Sequence, residues 1–210
     1  MSVTVDHELF DAEVIGLRTV GQVLSHLQRD NRLVTNLLID GEEPDLSLMG
    51  TLRRKPLGDH TLYIETTDPR DMALEVLDEV EQQLREADRL KADAIELLHR
   101  NAVERALQKL SGCFSTWQHA QESVLKTAQL LRIDLELIKT EGRSLKEMVH
   151  EFTVQLRNIK SALENRDYVH LCDILTYEAT ETNNRWRMAL DAMRDAISVR
   201  EPQARPQQHP

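Results

Sequence analysis

Between residues 114 and 138 the chain repeats one stripe: Phe114, Trp117, Gln121, Val124, Ala128, Leu131, Leu135 and Ile138, at steps of 3, 4, 3, 4, 3, 4 and 3. Only Gln121 is polar. A helix of 3.6 residues per turn gathers such positions on one side, whereas a strand alternates faces at every residue. The spacing is that of a heptad seam, which needs a neighbouring helix to bury it. The feature therefore demands long helices lying side by side.

The flanking sequence agrees. Residues 70–140 hold one glycine, Gly112, and no proline. Leu77, Val80, Leu84, Ala87, Ala94 and Leu98 share a face, with one turn missed at Lys91. Thr67-Asp68-Pro69-Arg70-Asp71 is a helix start: Asp68 can accept from an orphan amide, Pro69 needs no donor in the first turn, and Asp71 meets the positive end of the dipole. Ser111-Gly112 is expected to end this helix, because glycine tolerates the left-handed closing conformation. Glu141-Gly142-Arg143 is expected to end the next one. Ser144 and Glu147 form a capping box ahead of Leu145, Val149, Phe152, Leu156, Ile159 and Leu163. Asn165-Arg166-Asp167 breaks that helix. The last presents Cys172, Leu175, Ala179, Thr182, Trp186, Ala189, Met193 and Ala196.

Four helices with short connections over residues 69–200 predict an antiparallel four-helix bundle or coiled coil. The first would span about 40 residues, about 60 Å, and the third only about 20, about 30 Å. One end of the long helices is therefore expected to lack partners within the bundle. Its apolar stripe must find the N-terminal region, a second copy or a client.

Residues 1–68 read differently. Val3 and Val5, Leu9-Phe10, and Val14-Ile15 are short apolar groups. Leu33-Val34-Thr35-Asn36-Leu37-Leu38-Ile39 followed by Asp40-Gly41 is a strand and turn. Leu62–Thr66 is another strand. Thr19 can cap a helix carrying Val20, Val23, Leu24 and Leu27. The order strand, strand, helix, strand, loop, strand resembles the β-grasp (ubiquitin-like) fold, a resemblance of topology without a signature motif. The fold class is thus α+β, predominantly α: a small head followed by the bundle. Residues 201–210, with three prolines and no bulky apolar side chain, are expected to be a disordered tail.

Charge narrows the partners. The chain of 210 residues has a net charge of -10. Residues 1–69 carry 12 acidic and 6 basic side chains, and residues 70–200 carry 23 and 19. No part is basic, so nucleic acid is not expected as a partner. Arg53-Arg54-Lys55 is the densest basic run and reads as a solvated loop or an anion contact. No apolar run is long enough to span a membrane, and the first residues show no secretory signal. Two cysteines make no disulfide framework, so a reducing cytoplasm is expected.

Few residues have the spacing of a reactive site. Glu96-Leu97-Leu98-His99 and Glu147-Met148-Val149-His150 have the Glu-x-x-His spacing of di-metal helical bundles. Glu96 and Glu147 lie off the apolar stripes, Glu147 already serves the capping box, and alternating helices put the histidines about 15 Å apart along the axis. His119 and His170 lack the Lys and Gly that follow the histidine of phosphotransfer bundles. Cys113 is expected near a helix N-terminus and Cys172 in the core. No glycine-rich phosphate loop is present.

The expectation is a non-enzymatic protein-interaction module with no catalytic residues, metal or cofactor. Trp117, Val124, Leu131, Trp186 and Met193 are its seam residues. They would bind an amphipathic helix or a second copy of the chain. Small, acidic, helical, cytoplasmic proteins of this description resemble bacterial flagellar and secretion export chaperones in architecture. The alternative is a metal- or phosphate-handling enzyme built on the Glu-x-x-His motifs.

Overall fold

A computed structural model describes residues 2–58 and 60–199; the expected tail, 201–210, lies outside the described residues. The fold is α+β, predominantly helical, with a small mixed sheet in its N-terminal part. The chain divides into two compact units, Met1–Met72 and Ala73–Pro210.

In the first unit the alternation of Val3 and Val5 makes a strand, β1 (Ser2–Val5). Asp6 and His7, both at positive φ, turn it into β2 (Glu8–Leu9). Helix α1 (Val20–Arg29) starts with a full capping box between Thr19 and Gln22. Strand β3 (Leu33–Ile39) follows, then a short helix α2 (Met49–Leu52) and strand β4 (Thr61–Thr67). The sheet order is β2-β1-β4-β3, with β1 parallel to β4 and the other pairs antiparallel. Val20, Val23 and Leu27 of α1 form one core with Val3, Val5, Leu37, Ile39, Leu62 and Ile64. The parallel pair is fastened by Asp6, whose carboxylate accepts from the Thr66 amide (2.6 Å) and hydroxyl (2.8 Å) and pairs with Arg32.

The second chain segment forms α3 (Pro69–His99), α4 (Val103–Leu130), a hairpin of β5 (Lys139–Thr140) and β6 (Arg143–Ser144), α5 (Leu145–Glu164), α6 (Tyr168–Asp173) and α7 (Ala179–Val199). A π-helical turn, Ile174–Glu178, joins the last two. Asp68 caps α3 by accepting from the Arg70 amide at 2.7 Å, and the Ser144–Glu147 capping box is complete.

Helix ends depart from the sequence reading. The first break falls at Asn101, not at Ser111-Gly112. Asn101 is left-handed (φ 56), Ala102 N–H donates to Leu97 C=O and Asn101 N–H to Leu98 C=O, a Schellman closure. Gly112 lies inside α4. The first helix is therefore 31 residues long, not about 40. Arg132 (φ 51) closes α4 in the same way, with Ile133 N–H on Ala128 C=O. Leu131, Leu135 and Ile138 thus lie beyond the helix that was expected to carry them. Arg166 ends α5 by the same device, at the Asn165-Arg166-Asp167 break that the sequence indicates. Glu141 and Gly142, both at positive φ, form the two-residue hairpin turn between β5 and β6.

Side-chain bridges show which helices are neighbours. Cys113 and Lys109 of α4 meet Ala87 and Asp93 of α3. Lys91, Asp88 and Glu81 of α3 meet Thr180, Arg187 and Arg194 of α7 in reversed order, so these two helices run antiparallel. Phe152 of α5 lies between Trp117 of α4 and Trp186 of α7. The core takes residues from each long helix. Helix α5 has only 20 residues, and the end it does not reach is covered by the irregular segment 131–144. Ile138 is buried there, and Ile133 and Leu135 pack on the core. The stripe expected to lack partners thus finds them in the chain itself.

Candidate functional site

The stripe positions converge on an aromatic layer. The ring centroids of Trp117 and Phe152 are 5.8 Å apart, those of Phe152 and Trp186 5.6 Å, both edge-on, and Phe114 is 5.7 Å from Trp117. Edge-to-face contact sets the positive rim of one ring against the negative face of the next. Val124 and Met193 are fully buried in the same core, while Leu131 is partly buried just past the end of α4. Four of the five seam residues, Trp117, Val124, Trp186 and Met193, are therefore interior side chains.

A polar layer adjoins the aromatic one. Lys91 occupies the missed turn of the α3 stripe and is buried, 6% exposed. Its ammonium donates to the Thr180 hydroxyl (3.0 Å) and pairs with Asp88 (3.1 Å). Asp88 also accepts from the Asn183 amide at 2.6 Å and pairs with Arg187. Burial works to raise the Asp88 pKa, but the Asn183 hydrogen bond and the Lys91 and Arg187 charges outweigh it and hold it below its ordinary value. Farther along, Arg194 reaches Asp78, Glu81 and the Leu77 carbonyl. The gap at Lys91 was the sequence signal for this layer. Asn183, also buried, gave none, because it stands beside the expected Thr182 position of the last stripe and not on it.

The cysteines and histidines stand elsewhere. Cys113 is mid-helix and buried, not near a helix N-terminus, because α4 begins at Val103. Its thiol donates to the Ala87 carbonyl at 3.3 Å, and burial pushes its pKa up to about 12. That removes the thiolate needed of a nucleophile near neutral pH. Leu171, not Cys172, fills the core position at the start of the last helix, and Cys172 is half-buried. Glu96 and His99 are exposed, Glu96 pairing with Arg100. Glu147 and His150 are exposed as well. The Glu147 carboxyl is held below its ordinary value by the Ser144 amide and hydroxyl it caps. The two Glu-x-x-His motifs do not converge, and among the described residues no group of three His, Cys, Asp or Glu side chains could hold a metal ion. His119 and His170 are exposed.

No helix among the described residues is long and apolar enough to cross a membrane. No curated protein and no solved structure matches the chain. A family model does match, over residues 72–189, a span that takes in the aromatic and polar layers and leaves most of the first unit outside. The chain belongs to the family described as Domain of unknown function (DUF8042).

Proposed function

We propose that the protein is a non-enzymatic interaction module, of the adaptor or export-chaperone kind, whose helical unit takes up an amphipathic helix or a second copy at the Leu131 end of the seam formed by Trp117, Val124, Leu131, Trp186 and Met193. The observation that carries this reading is the light cover at one end of the core. There the segment 131–144 shields the apolar faces of its neighbours with Leu131, Ile133, Leu135 and Ile138, of which only Ile138 is fully buried, and Leu137 within it is 77% exposed. Two backbone bonds, Leu145 N–H to Ile138 C=O (2.9 Å) and Lys146 N–H to Leu135 C=O (3.3 Å), tie the cover to α5. A helix with apolar residues at i, i+3, i+4 and i+7 offers more apolar surface than this segment and would take its place.

The finer architecture belongs to the same reading. A β-grasp head is supported by a central parallel β1–β4 pair with one helix against the sheet. An antiparallel four-helix bundle is supported by the reversed order of the α3–α7 bridges. The free thiols of Cys113 and Cys172 support a reducing, cytoplasmic setting. The acidic charge supports protein over nucleic acid as the partner.

The test uses the full chain and a short, uncharged Leu/Gln amphipathic helix carrying a fluorophore. Ile138→Asp loosens the cover, so the variant should bind the peptide about tenfold more tightly than the parent, as removal of a competing closed state requires. Light scattering across a dilution series reports self-association by the same variant. If Ile138→Asp neither binds the peptide nor self-associates more strongly than the parent, the reading fails.

A further inference from the structure

In the first unit, large exposed apolar side chains and unspent charges occur together in two segments. One comprises β2 and the turn after it: Leu9, Val14 and Ile15 are exposed among Glu8, Asp11 and Glu13. The other runs through α2: Leu46 and Leu48 are exposed ahead of exposed Arg53 and Arg54. These five apolar side chains, 49% to 83% exposed, are the large exposed apolar residues described in that unit. None of Glu8, Asp11, Glu13, Arg53 and Arg54 makes an ion pair with a described residue, in contrast to Asp6, Arg32 and Asp40 of the same unit.

We propose that two copies of the chain associate through these surfaces. The acidic-apolar segment 8–15 of one copy docks on the basic-apolar segment 46–55 of the other, and a two-fold axis forms the reverse pair at the same time. The occupant follows from complementarity. Each segment combines leucine- or valine-sized side chains with charges of one sign, and the matching surface of opposite sign is carried by the same chain. A foreign partner fitting one segment would leave the other uncovered.

Both surfaces are held before they meet, which lowers the ordering cost of association. The acidic turn is closed by Gly16 N–H on Glu13 C=O (3.0 Å) and Leu17 N–H on Ala12 C=O (2.8 Å), with Ala12 fully buried beneath it. The basic segment is fixed to the start of α1 by Gly21 N–H on Arg53 C=O (2.9 Å) and Val20 N–H on Lys55 C=O (3.1 Å). Gly21 is required for that approach, since a Cβ there would lie 2.6 Å from the Arg53 carbonyl oxygen. The net charge of -10 opposes association at long range, but at physiological salt it is screened over about 8 Å while contacts at the interface persist.

This inference goes beyond the helical-unit reading and uses none of its residues. It is tested by sedimentation equilibrium of the full chain and of two charge-reversed variants, Asp11→Lys/Glu13→Lys and Arg53→Glu/Arg54→Glu. The parent should be a dimer that dissociates on dilution. Each variant alone should dimerise at least about tenfold more weakly, because both of its contacts then oppose like charges. An equimolar mixture of the two variants should regain association, since each acidic surface again meets a basic one. A parent that stays monomeric, reversals without effect, or a mixture that fails to associate would each overturn the proposal. Peptide binding by Ile138→Asp is a separate readout, so the two readings fail independently.

Discussion

The aromatic and polar layers share one core and hold their helices by different physics. Around Phe152, the rings of Trp117 and Trp186 supply a large apolar contact between α4, α5 and α7. Such contact is strong and only loosely directional. Between α3 and α7, Lys91 meets Asp88 and Thr180, and Asp88 meets Asn183 and Arg187. That set gains little net energy, because desolvating charges offsets most of their attraction. It is, however, specific: sliding α7 by one turn would leave the Lys91–Asp88 pair of α3 without Thr180, Asn183 and Arg187, whereas apolar surfaces tolerate a slip. Strength comes from the one layer and register from the other.

The comparison breaks first at the rings. Trp117→Ala removes a fully buried indole and should cost about 3–5 kcal/mol in chemical denaturation. Little or no loss would show that the aromatic layer is not the main source of cohesion. A smaller effect is expected at the polar layer. Lys91→Ala should cost about 1–3 kcal/mol by leaving Asp88 short of a partner, and Lys91→Met, which fills the space, should cost less.

The pH dependence sharpens this contrast. Asp88 has a folded pKa below its unfolded one, because its hydrogen bond and cation partners outweigh burial. Its stabilisation is therefore complete above the ordinary aspartate range and is lost as pH falls through and below that range. Denaturation midpoints measured against pH should fall less steeply in Lys91→Met than in the parent. Equal slopes would remove Lys91 from the account. The smallest effect is a gain. Gly112 sits inside α4, and a Cβ there would meet only Leu90, at 3.4 Å. Gly112→Ala should raise stability by about 0.4–1 kcal/mol, and a loss would show that the α3–α4 packing beside Lys91 leaves no room for a methyl group.

Much of the aromatic layer was legible from spacing alone. Trp117, Val124, Trp186 and Met193 follow helical periodicity, and burial follows from periodicity when the neighbours are helices too. Lys91 was legible as a gap and not as a contact, because Thr180, its partner across the core on α7, stands 89 residues away. Helix ends were misplaced where glycine was the guide. The chain closes α3 and α4 with Asn101 and Arg132 in the left-handed conformation, where no glycine marks the end, whereas α5 ends at Asn165-Arg166-Asp167 as the sequence indicated. The register of the last helix was displaced at its start, where the π turn at Ile174–Glu178 follows a core filled by Leu171 rather than Cys172.

By itself the sequence determined what is local: a strand-rich beginning, long helices after Pro69, the caps at Thr19, Asp68 and Ser144, and the apolar stripes. These depend on backbone geometry and on residues within a turn or two of one another. Tertiary structure decided where the stripes stop, that segment 131–144 folds back over the end α5 leaves open, and that Lys91 is a buried cation rather than a solvated one. Those outcomes depend on which distant side chains arrive at the same place, and a one-dimensional pattern does not encode that until the helices have packed.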